Sequence, residues 1–227
     1  MKRYFDTVIG LIFPNLCYAC REYEPLNNHL FCLSCQNRLP FVSSGGDAYA
    51  ALEGKDYFPE EISDFSTLFY FTKDSYVAEI IHRIKYEGQY RMAKKLGVLL
   101  AQMTLLNQDL RKYVIVPVPI HKKRRKERGY NQAEEIAKGF ASVKDIPIIS
   151  DYLIRTKHDK SQTAKDKRER SEALKNSFAI NEGCDRLSHI ILIDDVITTG
   201  STISACYTQL EKKSPVKVIV ASLGVSI

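Results

Sequence analysis

No apolar run in the sequence approaches the ~20 residues that a membrane-spanning helix needs. Residues 8–13 stop at Pro14, and residues 190–193 stop at Asp194 and Asp195. A secretory signature is also lacking. Lys2 and Arg3 precede the 8–13 run, but Asp6 interrupts the front and no small-residue cleavage site follows, so a short amphipathic helix is expected there. A cytoplasmic, reducing compartment follows from that expectation, and in it clustered cysteines serve metals rather than disulfides. There is no internal repeat and no low-complexity tract. The pattern G-x-x-x-x-G-K-[ST] occurs nowhere, which counts against a P-loop nucleotide site. His29, His82, His121, His158 and His189 fall at no metal-ligand spacing and form no triad; only His29 is placed to be a spare ligand beside the cysteines. No nucleophile–base pair can be picked out.

What is present has globular proportions. The 227 residues suffice for one full domain and a small appendage, and 44% apolar against 26% charged residues excludes bulk disorder. The net charge of +6 is unevenly spread. Residues 111–175 hold 18 Lys/Arg against 9 Asp/Glu, and the remainder is slightly acidic. An anionic ligand is the first suspect for that segment, with a pair of solvated loops as the plain alternative.

Three regions can be told apart. Residues 1–40 carry four of the six cysteines. Residues 41–64, with Ser43, Ser44, Gly45, Gly46, Gly54 and Pro59, read as a linker or loose loop. Residues 65–227 alternate strand and helix patterns. Strands are expected at 67–71, 114–118, 190–193 and 216–223. Helices are expected after Asp74 as cap (Val77, Ile80, Ile81 and Ile84 at helical spacing, ending at Gly88), then over 91–106, 131–140 and 202–210. The alternation implies an α/β fold with a mainly parallel sheet flanked by helices, and a small N-terminal module.

Cys17-Tyr-Ala-Cys20 and Cys32-Leu-Ser-Cys35 are two C-x₂-C knuckles. Each can place two thiolates on one metal, and together they complete a closed S₄ site. Zinc suits it, being redox-inert and borderline soft; iron can also occupy four thiolates. Four cysteines leave no open position for catalytic water, so the metal is structural. It would stabilise a segment too small to bury much core. Cys184 and Cys206 have no sequence partner, and Cys206 reads as a small buried hydrophobe.

The most informative stretch runs from His189 to Thr202. An apolar strand delivers Asp194 and Asp195 at its C-terminal end, where open α/β sheets bind ligands. Thr198, Thr199, Gly200, Ser201 and Thr202 follow and open a helix. Backbone N–H groups at that start, with the hydroxyls, can cradle a phosphate monoester. The two carboxylates can accept hydrogen bonds from sugar hydroxyls. An acidic pair that merely caps a helix would explain Asp195 but not the run of hydroxyls.

On these residues, 194–202 resembles the phosphoribosyl-diphosphate (PRPP) loop of type I phosphoribosyltransferases. Val116-Pro-Val-Pro119, Arg128-Gly-Tyr-Asn-Gln132, Gln162-Thr163 and Arg170, with the cysteine quartet ahead of them, resemble the ComF family of competence proteins. The resemblance implies a type I phosphoribosyltransferase-like domain behind a zinc finger. Asp194 and Asp195 would be the catalytic pair, holding the ribose 2′- and 3′-hydroxyls, and residues 198–202 would bind the 5-phosphate. Residues 116–119 would lie near the pyrophosphate, with Mg²⁺ arriving on PRPP. A link to DNA uptake in natural transformation, and with it single-stranded DNA and a competence helicase as partners, is implied in the same way. One departure stands out. Family members commonly carry asparagine three residues after the Arg170 position, and this chain has Ala173.

The basic run 122–126 and Arg128 follow the Val-Pro-Val-Pro strand directly. They can cover a departing pyrophosphate or contact a nucleic-acid backbone. Lys85, with Gly88 after it, is similar to a family Lys-x-x-Gly element; an exposed helix-end lysine is the plain alternative. Residues 162–170, basic and poor in apolar anchors, read as a mobile lid with Arg170 at its end. Tyr130 and Phe140 read as packing residues. Two functions therefore stand side by side: a glycosyltransferase that moves phosphoribose to an unidentified nitrogen acceptor, and a non-catalytic DNA-handling protein that keeps the PRPP fold.

Overall fold

The computed structural model describes residues 16–26, 29–42, 49–52, 55, 57–104, 109–157 and 176–227. In chain order the elements are α1 (Leu33–Arg38), β1 (Asp64–Phe71), α2 (Tyr76–Tyr86), α3 (Tyr90–Met103), β2 (Val114–Pro117) and α4 (Lys122–Arg128). There follow α5 (Gln132–Lys144), β3 (Leu153–Arg155), β4 (Phe178–Ile180), β5 (His189–Ile197), α6 (Ser201–Lys213) and β6 (Lys217–Ser226).

Continuous β-branched and apolar runs make central strands that are buried on both faces. Ile190, Ile191, Leu192 and Ile193 in β5 are all fully buried. Strands β1, β6, β5 and β2 pair in that order, every pair parallel, with Val116 opposite Leu192 and Ile191 opposite Ile219. A parallel bridge from Ile115 to Ile148 continues the β2 edge. The expected α/β sheet flanked by helices is present.

Helices α2, α3 and α5 cover one face through Ile80, Ile84, Leu96, Leu100, Ile136 and Phe140. Helix α6 covers the other with Ile203, Cys206 and Leu210, helped by Tyr152, Leu153 and Phe178. Leu153 and Phe178 open the strands of an antiparallel β3–β4 pair, with Tyr152 just before it, and strands of only three residues do not announce themselves in sequence. Where α3 and α5 cross, the backbones touch at two glycines. A Cβ on Gly97 would collide with the Ile136 carbonyl, and one on Gly139 with the Lys94 carbonyl.

Several sequence expectations shift locally. Ser75, not Asp74, caps α2: its hydroxyl accepts the Ala78 N–H at 3.2 Å. Residues 122–128, where the sequence pattern predicts no element, form a helix, because straight-chain Lys, Arg and Glu favour helix even without an apolar face. His121 caps it by accepting the Lys123 N–H at 3.1 Å, and Gly129 ends it in the left-handed region. The four-cysteine segment packs into the α2–α3–α5 core through Cys17, Phe31 and Leu39. Arg83, 5% exposed, fastens it by donating to the Ala19 carbonyl at 3.0 Å. Within 41–64, Val42, Leu52 and Ile62 are buried against the other face of the sheet. The Val42 N–H donates to the Leu68 carbonyl at 3.0 Å.

Candidate functional site

Strand alternation decides where the two carboxylates go. Ile191 and Ile193 belong to the core under α2, so Asp195 follows them to that side; Ile190 and Leu192 lie under α6, and Asp194 follows them. Each carboxylate first ties down the backbone beside it. Asp194 Oδ1 accepts the Asp195 N–H at 2.8 Å, and Asp195 Oδ1 accepts the Val196 N–H at 2.7 Å. Asp195 Oδ2 meets Lys85 Nζ at 3.0 Å, from the last turn of α2. Burial, and then the charge of Asp195, pushes the Asp194 carboxyl up to about 7; the Asp195 N–H, Lys85 and Arg155 pull the other way.

The hydroxyl loop closes the end of the strand. Thr199 Oγ1 and Ser201 Oγ lie 2.8 Å apart, Ser201 is 9% exposed, and Thr198 is open to solvent. Gly200 holds φ +81 at the N-cap of α6, and a Cβ there would come within 2.8 Å of the Phe58 backbone nitrogen. Gly200 supplies no side-chain cap to α6, unlike Ser75 at α2 and Asn131 at α5, and the Thr199 hydroxyl accepts only the Ser201 N–H, at 3.4 Å. The first N–H groups of α6 and the positive end of its dipole therefore suit an anion.

Next to Lys85 lies a polar cleft of about 440 Å³ lined by Lys85, Tyr86, Gly88, Arg124, Glu127 and Arg128. The Arg128 guanidinium sits 5.0 Å from the centre of the Tyr86 ring and donates to its hydroxyl at 3.4 Å. Lys85 and Arg128, flagged separately in the sequence, thus share one cleft, and Lys85 links it to the carboxylates. Arg170 and the rest of residues 162–170 lie outside the described residues. Tyr130 packs as expected: its hydroxyl donates to the Ile84 carbonyl and its ring meets Tyr90 edge-on. Two neighbours had no sequence signal: Arg155, whose charge acts on Asp194, and Phe58, against the loop; Arg124 belongs to the basic run 122–126 that the sequence puts forward, and the fold selects it as the member lining the cleft beside Lys85.

The Sγ atoms of Cys17, Cys20, Cys32 and Cys35 all lie within 4.8 Å of one another, with Cys20 and Cys32 at 3.9 Å. Tetrahedral zinc with Zn–S bonds of about 2.3 Å needs sulfur separations of about 3.8 Å, so the cluster fits such an ion. The Cys32 N–H donates to Cys17 Sγ at 3.3 Å. Burial raises the Cys17 thiol, but N–H groups of Cys32, Cys20 and Ala19 outweigh it and hold the group at about 7. Burial and the neighbouring sulfurs push Cys35 strongly up. The quartet cannot easily carry several thiolates without a cation among them.

No family model matches the chain. It is 30% identical over 139 residues to Competence protein F of Haemophilus influenzae, covering 59% of this chain and 61% of that protein. Competence protein ComFC of Bacillus subtilis is 28% identical over 198 residues, covering 83% of this chain and 74% of its own. These matches make the chain similar to the ComF competence proteins. The DNA utilization protein YhgH of Salmonella typhi is 29% identical over 129 residues, 55% of this chain and 56% of that one. The match thus spans about 60% of the first of these ComF relatives. Among solved structures, glutamine PRPP amidotransferase from B. subtilis aligns with a TM-score of 0.38 and 22% identity, over 57% of this chain and 25% of that one. No helix among the described residues is long and apolar enough to cross a membrane.

Proposed function

We propose that this ComF-like chain binds PRPP through the β5–α6 loop and works as a phosphoribosyltransferase-like protein in DNA uptake. The observation that carries the reading is the juxtaposition at the end of β5. Two carboxylates, a helix start that opens on Gly200 among hydroxyls, and a cationic cleft lie together, matching a diol, a phosphate and a pyrophosphate on one ligand. Asp194 and Asp195 orient the ribose by accepting from its hydroxyls. Residues 198–202 hold the 5-phosphate, and Lys85, Arg124 and Arg128 balance the charge of the leaving pyrophosphate. Mg²⁺ comes bound to the oxygens of PRPP and lowers their charge. The four cysteines hold a structural zinc ion.

Calorimetry with Mg²⁺ and PRPP tests the reading. The chain binds, and the double variant Asp194→Asn with Asp195→Asn does not; equal binding by the two proteins removes the assignment. Pyrophosphate release across a panel of nucleobases and amines then separates transfer from binding alone.

A second reading, contact with single-stranded DNA, is favoured by α4, a helix with no buried residue and a run of cationic side chains. Arg125 is partly occupied by Glu134 at 3.0 Å, so Lys122, Lys123 and Arg124 are the informative positions. Their joint replacement by alanine is expected to weaken strand binding and flatten its salt dependence, by about 0.7 per lost phosphate contact in the log–log slope. An unchanged affinity and slope would clear α4 of that role.

A further inference from the structure

Lys85 belongs to two environments at once. Its Nζ lies 3.0 Å from Asp195 Oδ2, with side-chain exposures of only 26% and 13% for the pair. The same side chain lines the cleft with Arg124 and Arg128, where Glu127 is the one carboxylate among the lining residues. Both Asp195 oxygens are engaged, one by the Val196 N–H and one by Lys85. A hydroxyl that donates to Asp195 must therefore compete with an ammonium for a largely buried acceptor, which weakens diol recognition.

A compact polyanion in the cleft changes that balance. It offers Lys85 several charged oxygens beside two guanidinium groups. The lysine stem is flexible and its head is a point charge, so it can exchange partners by rotation. Its place in the last turn of α2, at the negative end of the helix dipole, keeps the ammonium favourable as it turns. Once Lys85 leaves, Asp195 sits near Asp194 without its cation, and donated hydroxyl hydrogens become the best available compensation.

We propose that Lys85 is a positioning residue that couples the two parts of the site: a pyrophosphate-class anion in the cleft draws it off Asp195 and opens that carboxylate to a vicinal diol. The proposal rests on the PRPP reading of the site. The coupling is reciprocal, so a bound diol tightens the anion by the same factor. PRPP carries pyrophosphate on C1 and hydroxyls on C2 and C3, and so presents both keys in order.

Two measurements on the full chain test it. In carboxyl ¹³C NMR, with the Asp195 signal assigned by its loss in Asp195→Asn, inorganic pyrophosphate alone moves that signal in the wild type but not in Lys85→Met. In calorimetry, saturating pyrophosphate tightens ribose 5-phosphate binding by about fivefold or more, within the usual range of such couplings, and Lys85→Met abolishes the gain. A wild-type Asp195 signal that ignores pyrophosphate overturns the proposal, whether or not Lys85→Met folds. So does a gain that survives the substitution. If the signal follows pyrophosphate while ribose 5-phosphate binds in neither condition, the coupled lysine stands and the PRPP reading falls.

Discussion

Asp194 carries an electrostatic cost that the rest of the strand has to support. Its carboxyl is pushed from the ordinary 3.8 up to about 7, first by burial and then by Asp195. A native pKa above the unfolded one means that the folded state binds the extra proton between these values. The stability contributed by this group is therefore present at acid pH and lost as pH rises through about 7. Asp194→Asn keeps an oxygen for the Asp195 N–H and removes the titration. The melting temperature of the variant relative to wild type is expected to climb between pH 5 and 8. A climb of about 2–4 °C would correspond to roughly 1 kcal/mol for a chain of this size. Parallel melting profiles across that range would remove the buried titration. The same variant is expected to lose PRPP affinity, the usual relation between a strained site and its function. A neighbouring residue is constrained by shape instead. At Gly200 the positive φ and the Phe58 backbone together exclude a side chain, so Gly200→Ala is expected to displace the loop and weaken phosphate binding at least tenfold by calorimetry.

At the scale of elements, α3 and α5 cross with their backbones in direct contact. Gly97 and Gly139 let the two backbones meet, and neither obstructing group is a flexible side chain; both are backbone carbonyls. Gly97→Ala and Gly139→Ala are each expected to cost about 1–3 kcal/mol or more, despite the better helix propensity of alanine. Urea denaturation checks this, and a stabilising effect would mean that the helices separate easily. Nothing in the sequence marks these glycines, because each looks like an ordinary weak point in a helical pattern. Other elements were legible for equally physical reasons. The 190–202 stretch shows its strand, its turn and its helix start because apolar run, acidic pair and hydroxyl loop are contiguous. Asp195 and Lys85 were each visible, but their pairing was not, since 110 positions separate them and only the packing of α2 on the sheet joins them. Helix α4 was hidden by the lack of an apolar face, and β3 and β4 by their length.

At the scale of the whole molecule, the cysteine module shares its core with the sheet. Cys17, Phe31 and Leu39 pack in the same cluster as Ile80, Leu96 and Ile136. Phe31, Phe41 and Phe69 form a set of ring contacts, with Phe41 and Phe69 4.8 Å apart, and Phe41 bridges to β1. Arg83 adds a buried hydrogen bond from α2 to Ala19. A metal that ordered the two knuckles would hold one wall of the α2–α3 layer, and α2 in turn carries Lys85 to Asp195. Chelation should therefore lower the melting temperature of the entire chain in one transition rather than melt a separate module first. Paired replacement of Cys32 and Cys35 by serine should do the same, with a loss of several kcal/mol, because it removes both the metal and two buried sulfurs. Calorimetric scanning before and after chelator, with zinc and iron measured on the protein as purified, decides the matter. A low-temperature transition that leaves the main one unmoved would show the module to be thermodynamically separate. Absence of both metals would instead leave the four thiols to be held by packing alone, with Cys35 kept protonated by its burial and by the neighbouring sulfurs.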